Sequence, residues 1–563
     1  MSNFEDVIMQ NRYYVDKTMY IPLLEDQANY LIFIRPRRFG KSLLLSMLRS
    51  YYDLSQKDKF QQLFGNLWIG QHTTPLQGKY QILYLDFSKI GGSIDELPQR
   101  FDSYSAVQLD GFLNRYREYY TDEFIERFSA ADKGIDKLHI LDDEARRLGY
   151  PLYLIIDEYD NFTNVVLNEK GNEIYRAITH ASGFYRDAFK NYKGMFDRIF
   201  MIGVSPVTLD DLSSGYNIGW NISTSPVFNQ MLGFSEKDVR TMFQYYKETG
   251  QLHGDIEEMI LEMKPWYDNY CFAEESLERD PKMFNCDMVF YYLRHYMTLG
   301  KSPKEMIDPN TRTDYNKMKK LIRLDKLDGN RKGVLRKITE DGQIVTTLTT
   351  TFPATDITKP EIFPSLLFYY GMLTITATRG NYLVLSIPNN NVRKQYYEFL
   401  LEEYQDNRHI NLNDLGLMYY EMAYDGHWRE TLEFIAHAYK ENSSVRSAIE
   451  GERNLQGFFT AYLSTNAYYL IAPEVELNHG YCDLFLMPDL IRYDVKHSYI
   501  IELKYLSAKD SGAKAEAQWK EAVEQIKGYA AGPKVRRMIY GTELHGIVMQ
   551  FRGWELERME EVI

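Results

Sequence analysis

An α/β fold built on a parallel sheet is the class this chain predicts, and three observations predict it. Short apolar runs recur with helix-length segments between them, Gly-Lys-Ser follows the first run, and a pair of acids ends a later one. Alternating strands and helices argue for parallel strands joined by crossovers, with ligands taken at the carboxyl ends of the strands.

The first run, Leu31-Ile32-Phe33-Ile34, leads into Arg35-Pro36-Arg37-Arg38-Phe39-Gly40-Lys41-Ser42. A chain that wraps phosphates needs a residue without a side chain where backbone and ligand approach closely, and Gly40 meets that need. Lys41 is expected to place its charge between the β- and γ-phosphates, and Ser42 to ligate Mg²⁺. Leu44, Leu45 and Leu48 have the spacing of the helix that must follow. Arg35 stands where G-x-x-x-x-G-K-[ST] has its first glycine.

Pro151 to Ile156 predicts a buried strand whose tip carries Asp157 and Glu158. Asp157 is expected to hold Mg²⁺ through its water shell, and Glu158 to polarise the attacking water. The runs Tyr80 to Ser88 and Arg198 to Ser205 read as further strands of the same sheet. They bring Ser205 or Thr208 beside a γ-phosphate, although a turn serine explains the position equally well. The nucleotide expected is ATP.

At 563 residues the chain exceeds one core. The division expected is 1–232 for the phosphate-binding domain, 233–400 for a helical lid with a winged-helix-like part, and 401–563 for a second α/β domain with leading helices. In the middle region Ser235 reads as the N-cap of a helix, and Arg240 is a candidate reporter on the γ-phosphate. Pro364 to Leu400 gives a helix, a strand from Met372 to Thr378, a turn at Arg379-Gly380-Asn381, a strand from Tyr382 to Ile387 and another helix. Leu400 to about Ser444 reads as helical.

The formal charge of -14 excludes a protein coated in basic surface, so any nucleic-acid contact must be local. A basic run between Arg312 and Lys337 is one candidate track, with a solvated helix and loop face as the plainer explanation. Three scattered cysteines, Cys271, Cys286 and Cys482, suit neither a disulfide framework nor a zinc site. With no apolar run approaching about 20 residues, a cytoplasmic protein without a membrane partner is expected.

A second constellation lies near the C-terminus. Asp483 opens one apolar run, and Glu502 and Lys504 stand two apart on the next, so their side chains share a face. Two carboxylates that fix Mg²⁺ and an ammonium that steadies the attacking water are what phosphodiester hydrolysis needs. Helices are expected at Ser447 to Leu463, carrying Glu452, and at Ala515 to Ala530. Glu474 and Glu476 compete with Glu452 as a third acid.

Tyr13-Tyr14-Val15-Asp16-Lys17-Thr18, Arg35 to Ser42, the Asp157-Glu158-Tyr159-Asp160 strand and Leu366 to Ile375 resemble the bacterial AAA-ATPase-like family. Its members commonly carry a C-terminal PD-(D/E)XK nuclease-like domain. Asp483 with Glu502-x-Lys504 resembles that core, and Gln525 with Tyr529 resembles the glutamine-x-x-x-tyrosine signature of RecB-like nucleases. The resemblance implies an ATPase of the additional-strand class in which Arg35 is the family's own variant and Arg37 or Arg38 touches phosphate. The nucleotide set is then Arg37, Arg38, Phe39, Gly40, Lys41, Ser42, Asp157 and Ser205, with Ser42 and Asp157 on metal. Glu158 serves hydrolysis, Asp483 and Glu502 hold the nuclease metal, and Lys504 and Gln525 complete that site. Related ATPases often work as rings or dimers, which allows a homo-oligomer. Where the family usually shows Gly-Arg before the metal aspartate, this chain has Gly480-Tyr481. The function expected is ATP hydrolysis coupled to Mg²⁺-dependent cleavage or processing of nucleic acid, DNA foremost. The alternative is a nucleotide-controlled regulator or interaction protein whose nuclease-like domain is silent, favoured by the missing arginine and the acidic charge.

Overall fold

A computed structural model describes residues 2–161, 189–206, 219–279, 282–308, 331–352, 356, 359–404, 412–441, 451–477 and 480–563. The chain divides into two compact units. One comprises 1–301, 308–334 and 343–389, and the other 302–307, 335–342 and 390–563.

The first unit is organised by five strands, β1 (Tyr30–Ile34), β2 (Gln81–Asp86), β3 (Leu152–Asp157), β4 (Arg198–Gly203) and β5 (Trp220–Asn221). They form one sheet in the order β2-β3-β4-β1-β5, and every pairing is parallel. Every residue of β3 is buried, as expected of a strand covered on both faces. β4 lies between β1 and β3, so the additional strand implied by the resemblance separates the lysine-loop strand from the acid strand.

The tips of β3 and β4 are locked together just beyond the acid pair. The buried Asp160 carboxylate accepts the backbone N–H of Val204 at 3.2 Å and of Ser205 at 2.8 Å, and Tyr159 donates its hydroxyl to the Ser205 carbonyl at 2.6 Å. Gly203 makes this close approach feasible. A Cβ there would stand 2.5 Å from Asp160 Oδ1 and 2.6 Å from the Tyr159 ring.

Ser235 caps the helix Glu236–Glu248 as expected, in a reciprocal box with Asp238. Asp238 also pairs with Lys17 at 2.8 Å, tying the Asp16-Lys17-Thr18 segment to this helix. Helices Ile256–Tyr267 and Cys286–Leu299 follow. The expected hairpin is present as β7 (Thr374–Arg379) and β8 (Tyr382–Ser386), after the buried helix Phe363–Tyr369. A strand the sequence did not announce, β6 (Gln343–Thr346), pairs antiparallel with β8. Residues 312–330 of the basic run lie outside the described residues. At the end of that run Arg331 is buried, its guanidinium 4.9 Å from the Phe363 ring centroid, and is no part of a solvated face.

The second unit holds β9 (Tyr469–Leu477), β10 (Gly480–Pro488), β11 (His497–Leu506), β12 (Glu543–Arg552) and β13 (Glu555–Glu561). Their order is β13-β12-β11-β10-β9, with β11 and β12 parallel and the other pairs antiparallel. A parallel pair needs a crossover, here the helix Gly512–Ala531. Its Trp519, Ala522, Ile526 and Tyr529 pack into a core with Cys482, Phe485, Ile500 and Val548. The helix expected from Ser447 to Leu463 is described from Glu452 to Leu463. Helices Leu412–Tyr424 and Trp428–Glu441 fill the expected helical stretch. No helix among the described residues is long and apolar enough to cross a membrane.

The Gly203 contact gives a direct stability prediction. Gly203→Ala is expected to cost about 1–3 kcal/mol by overpacking the strand tips, read as a lower denaturation midpoint; an unchanged midpoint would show that the Asp160 clasp yields freely.

Candidate functional site

The lysine loop begins where β1 ends, and its first residue is an anchor. The Arg35 guanidinium, 1% exposed, lies between the rings of Phe33 and Phe272. It donates to the carbonyls of Ile34 at 2.8 Å, Ser223 at 2.7 Å and Phe228 at 2.9 Å. An arginine at the first-glycine position thus ties the loop to the segment that follows β5.

From there the backbone turns through two left-handed residues, Arg38 at φ +68° and Gly40 at φ +96°. Gly40 caps the helix Lys41–Tyr52. Lys41 is buried, and its Nζ donates to the carbonyls of Arg35 at 3.2 Å and Pro36 at 2.9 Å. Burial lowers the Lys41 ammonium, an effect opposed by the nearby Asp157, Asp160 and Glu158.

Ser42 reaches past β4 to the acid strand. Its hydroxyl donates to Asp157 Oδ2 at 2.8 Å, and the Tyr84 hydroxyl approaches the same oxygen at 3.4 Å. Burial pushes the Asp157 carboxyl above the ordinary range, and the Ser42 hydrogen bond partly offsets the rise. Glu158, at φ +48°, is also raised by burial and then by Asp160, while Arg37 pulls it down.

Arg37, Arg38, Gly40, Lys41, Ser42, Asp157 and Glu158 all border one cleft of about 990 Å³, a volume that suits a nucleotide-sized ligand. Tyr13, Tyr14 and Phe290 offer aromatic surface in the same cleft. A hydroxyl and a carboxylate side by side are hard oxygen donors, the set that Mg²⁺ takes together with phosphates and retained waters. The residues therefore fit Mg-nucleotide.

Two expected nucleotide residues are placed differently. Ser205 is fully buried at the tip of β4, outside the residues that border the cleft, because the Asp160 clasp draws its backbone inward. Phe39 borders the cleft, yet only 1% of it is exposed, and its ring packs edge-on against Tyr270 and Phe272. Arg240 is held by Glu236 and Glu257 and is not among the residues that border this cleft. Thr208 lies outside the described residues.

The second constellation forms within the other unit. Asp483, on β10, accepts the backbone N–H of Leu503 through Oδ2 at 2.8 Å, which brings it beside Glu502 on β11. Lys504 Nζ donates to Glu502 Oε1 at 2.8 Å and lies 3.7 Å from Glu452 Oε1. Glu452 is thus the acid that joins the group; the side chains of Glu474 and Glu476 are outside the described residues. Gln456, one turn along the same helix, donates to the Asp483 carbonyl at 2.8 Å and helps hold β10 in place.

Burial, and then the neighbouring Glu502, push the Asp483 carboxyl up to about 7. Burial also raises Glu502, against the pull of Lys504. For Lys504 burial favours the neutral amine, but Glu502, Asp483 and Glu452 outweigh it and keep the ammonium charged. Glu502 Oε2 is buried without a hydrogen-bond partner among the described residues, and so is Gln525 Oε1. A buried carboxylate oxygen left unpaired beside a second strained acid is the arrangement a divalent cation would satisfy. Tyr529 donates its hydroxyl to the Tyr481 carbonyl at 2.8 Å, while the Tyr481 side chain is 65% exposed.

Comparison with known proteins agrees with this geometry at both ends of the chain. Residues 1–213 match the family described as Predicted AAA-ATPase, and residues 450–561 match the PD-(D/E)XK nuclease superfamily. A protein described as "Uncharacterized protein in vnfD 5'region", from Azotobacter chroococcum mcd 1, is 25% identical over 274 residues. That match covers 47% of this chain and 46% of the relative, so the chain spans about half the length of the curated relative it matches.

A carboxyl raised in the folded state favours folding below its unfolded value near 4, and that contribution is lost as pH rises toward the folded value of about 7. In the presence of a chelator, wild type is therefore expected to lose thermal stability relative to Asp483→Asn as pH climbs from about 4 to about 7. Parallel pH profiles for the two proteins would contradict the placement of Asp483 against Glu502.

Proposed function

We propose, for a chain that joins a predicted AAA-ATPase region to a PD-(D/E)XK nuclease-superfamily region, that it binds and hydrolyses ATP with Mg²⁺ and cleaves or processes nucleic acid, DNA foremost, in its C-terminal unit. The observation that carries the first half is the hydrogen bond from Ser42 to Asp157 beside Lys41, within one cleft. Bound Mg²⁺ would neutralise charge developing on the phosphates. Lys41 binds phosphate by exchanging its two loop carbonyls for phosphate oxygens. Ser42 and Asp157 would hold the ion, and Glu158 accepts a hydrogen bond from the attacking water and takes up its proton. Arg37 and Arg38, both at the cleft, are candidates for the remaining phosphate charge.

The second half rests on Asp483 and Glu502 converging with Lys504, and on the unpaired Glu502 oxygen. Mg²⁺ held there would act as a Lewis acid on the scissile phosphate. Lys504 holds its proton and steadies the incoming water or the developing negative charge, while Asp483 and Glu502 supply the metal ligands. Gln525, on the helix Gly512–Ala531, is the candidate that completes this site, its Oε1 buried without a hydrogen-bond partner among the described residues. The three cysteines are buried and unpaired, in keeping with a reducing, cytoplasmic setting.

A second reading, a nucleotide-controlled regulator with a silent nuclease-like domain, is favoured by Tyr481 standing where an arginine could meet substrate phosphate. Incubating the full chain with plasmid and single-stranded DNA, Mg²⁺ or Mn²⁺, with and without ATP, separates the two. Cleavage by wild type that falls at least ~100-fold in Lys504→Ala supports the enzyme. No cleavage under any condition, with ATPase intact, establishes the regulator.

For the ATPase, Lys41→Ala is expected to abolish nucleotide binding in a calorimetric titration. Glu158→Gln is expected to keep binding while turnover falls at least ~100-fold. Undiminished binding by Lys41→Ala contradicts the phosphate role of the loop.

A further inference from the structure

We propose that His497, His545 and Glu543 form a zinc-class metal site at the start of β11 and β12, separate from the Asp483–Glu502 centre. Glu502 lies five residues further along β11, about 16 Å at strand rise.

The three side chains offer donor atoms that all lie within 4.8 Å of one another. His497 Nδ1 is 2.9 Å from His545 Nε2 and 3.5 Å from Glu543 Oε2. Strand register produces this meeting. His497 pairs with Glu543 across the parallel β11 and β12, and Glu543 and His545 are two apart on one strand, hence on one face.

The surroundings are those of an oriented ligand set. His545 is 8% exposed and is stacked on Tyr499, with ring centroids 4.9 Å apart. Its other nitrogen, Nδ1, lies 2.6 Å from Glu561 Oε1, and the second oxygen of Glu561 accepts the Trp428 indole N–H at 3.1 Å. A carboxylate on the far nitrogen fixes the tautomer that leaves Nε2 with its lone pair toward a metal, as in carboxylate–histidine–zinc triads. The Tyr424 backbone also hydrogen-bonds the His497 ring. Gly426, at φ +75°, lets the chain pass against that ring; a Cβ there would stand 3.0 Å from His497 Cε1.

The chemistry selects the ion. Two neutral imidazoles and one carboxylate suit zinc and its neighbours, whereas Mg²⁺ prefers an all-oxygen set. Two nitrogens each 2.0–2.1 Å from one tetrahedral ion are about 3.3 Å apart, so loading requires the rings to part by a few tenths of an ångström. Three protein ligands leave a fourth position for water. In the absence of metal the same atoms satisfy one another as a hydrogen-bonded chain from Glu561 through His545 to His497, and the test must separate that chain from a site.

The full chain, freed of metal with chelator, is titrated with Zn²⁺ in an Asp483→Asn, Glu502→Gln background that disables the other carboxylate centre. The expected result is one equivalent bound with micromolar or tighter Kd. Affinity should fall ~100-fold or more in His545→Ala, and ~10-fold to ~100-fold in Glu561→Gln. Glu543, 70% exposed, gives a variant that leaves the core untouched, so Glu543→Gln keeps the test decisive if His545→Ala fails to fold. Co²⁺ as spectroscopic probe should show tetrahedral visible bands without thiolate charge transfer. No Zn²⁺ bound at micromolar concentration, or equal affinity in Glu543→Gln and Glu561→Gln, overturns the proposal and leaves the hydrogen-bonded chain as the function of these residues.

Discussion

The hydrogen bond between Ser42 and Asp157 is the constraint on which the first unit turns. Ser42 lies in the first turn of the helix after β1 and Asp157 ends β3, and β4 runs between those two strands, so the loop after β1 must be held in a defined place at the sheet's end. Arg35 supplies that hold from one side by binding three carbonyls between two aromatic rings. On the acid strand's side, Asp160 fixes the tip of β4 by accepting the Val204 and Ser205 amides. Lys41 and the acids can then share a cleft, and burial gives each of these charges a reason to seek a partner of opposite sign.

The same logic governs the second unit with different parts. Burial raises both Asp483 and Glu502, Glu502 raises Asp483 further, and Lys504 pulls both back down. Lys504 makes its closest contact with Glu502 Oε1, and Oε2 has no hydrogen-bond partner among the described residues. Trp519, Ile526 and Tyr529 pack with Cys482 and Phe485 of β10 and Ile500 of β11, the strands that carry the two acids. A cation bound by the two carboxylates would offset the cost of burying them.

Much of this was readable from residue pattern. Apolar runs that lead into the lysine loop, an acid or a glycine gave β1 to β4, because strands buried on both faces leave a continuous signal. Ser235 announced its helix through capping chemistry, and Glu502 and Lys504 shared a face through strand period alone. What was not readable depended on long-range placement. Arg35 looks like one more cation in a run of arginines until its three carbonyl partners are seen. Ser205 has the position of a sensing group, and only the Asp160 clasp explains its burial. β6 is short and half exposed, so it carries no alternation to detect. The meeting of Glu452 with Lys504, and of His497 with His545, joins residues about 50 apart, a distance at which composition and period carry no information.

The function of the first unit is decided by where a triphosphate lodges. A crystal structure of the full chain grown with Mg²⁺ and a non-hydrolysable ATP analogue tests it most directly. The geometry predicts the β- and γ-phosphates against Lys41 Nζ and the amides after Gly40, with Mg²⁺ between Ser42 and Asp157. Nucleotide bound elsewhere, with Lys41 still on the Arg35 and Pro36 carbonyls, would contradict it.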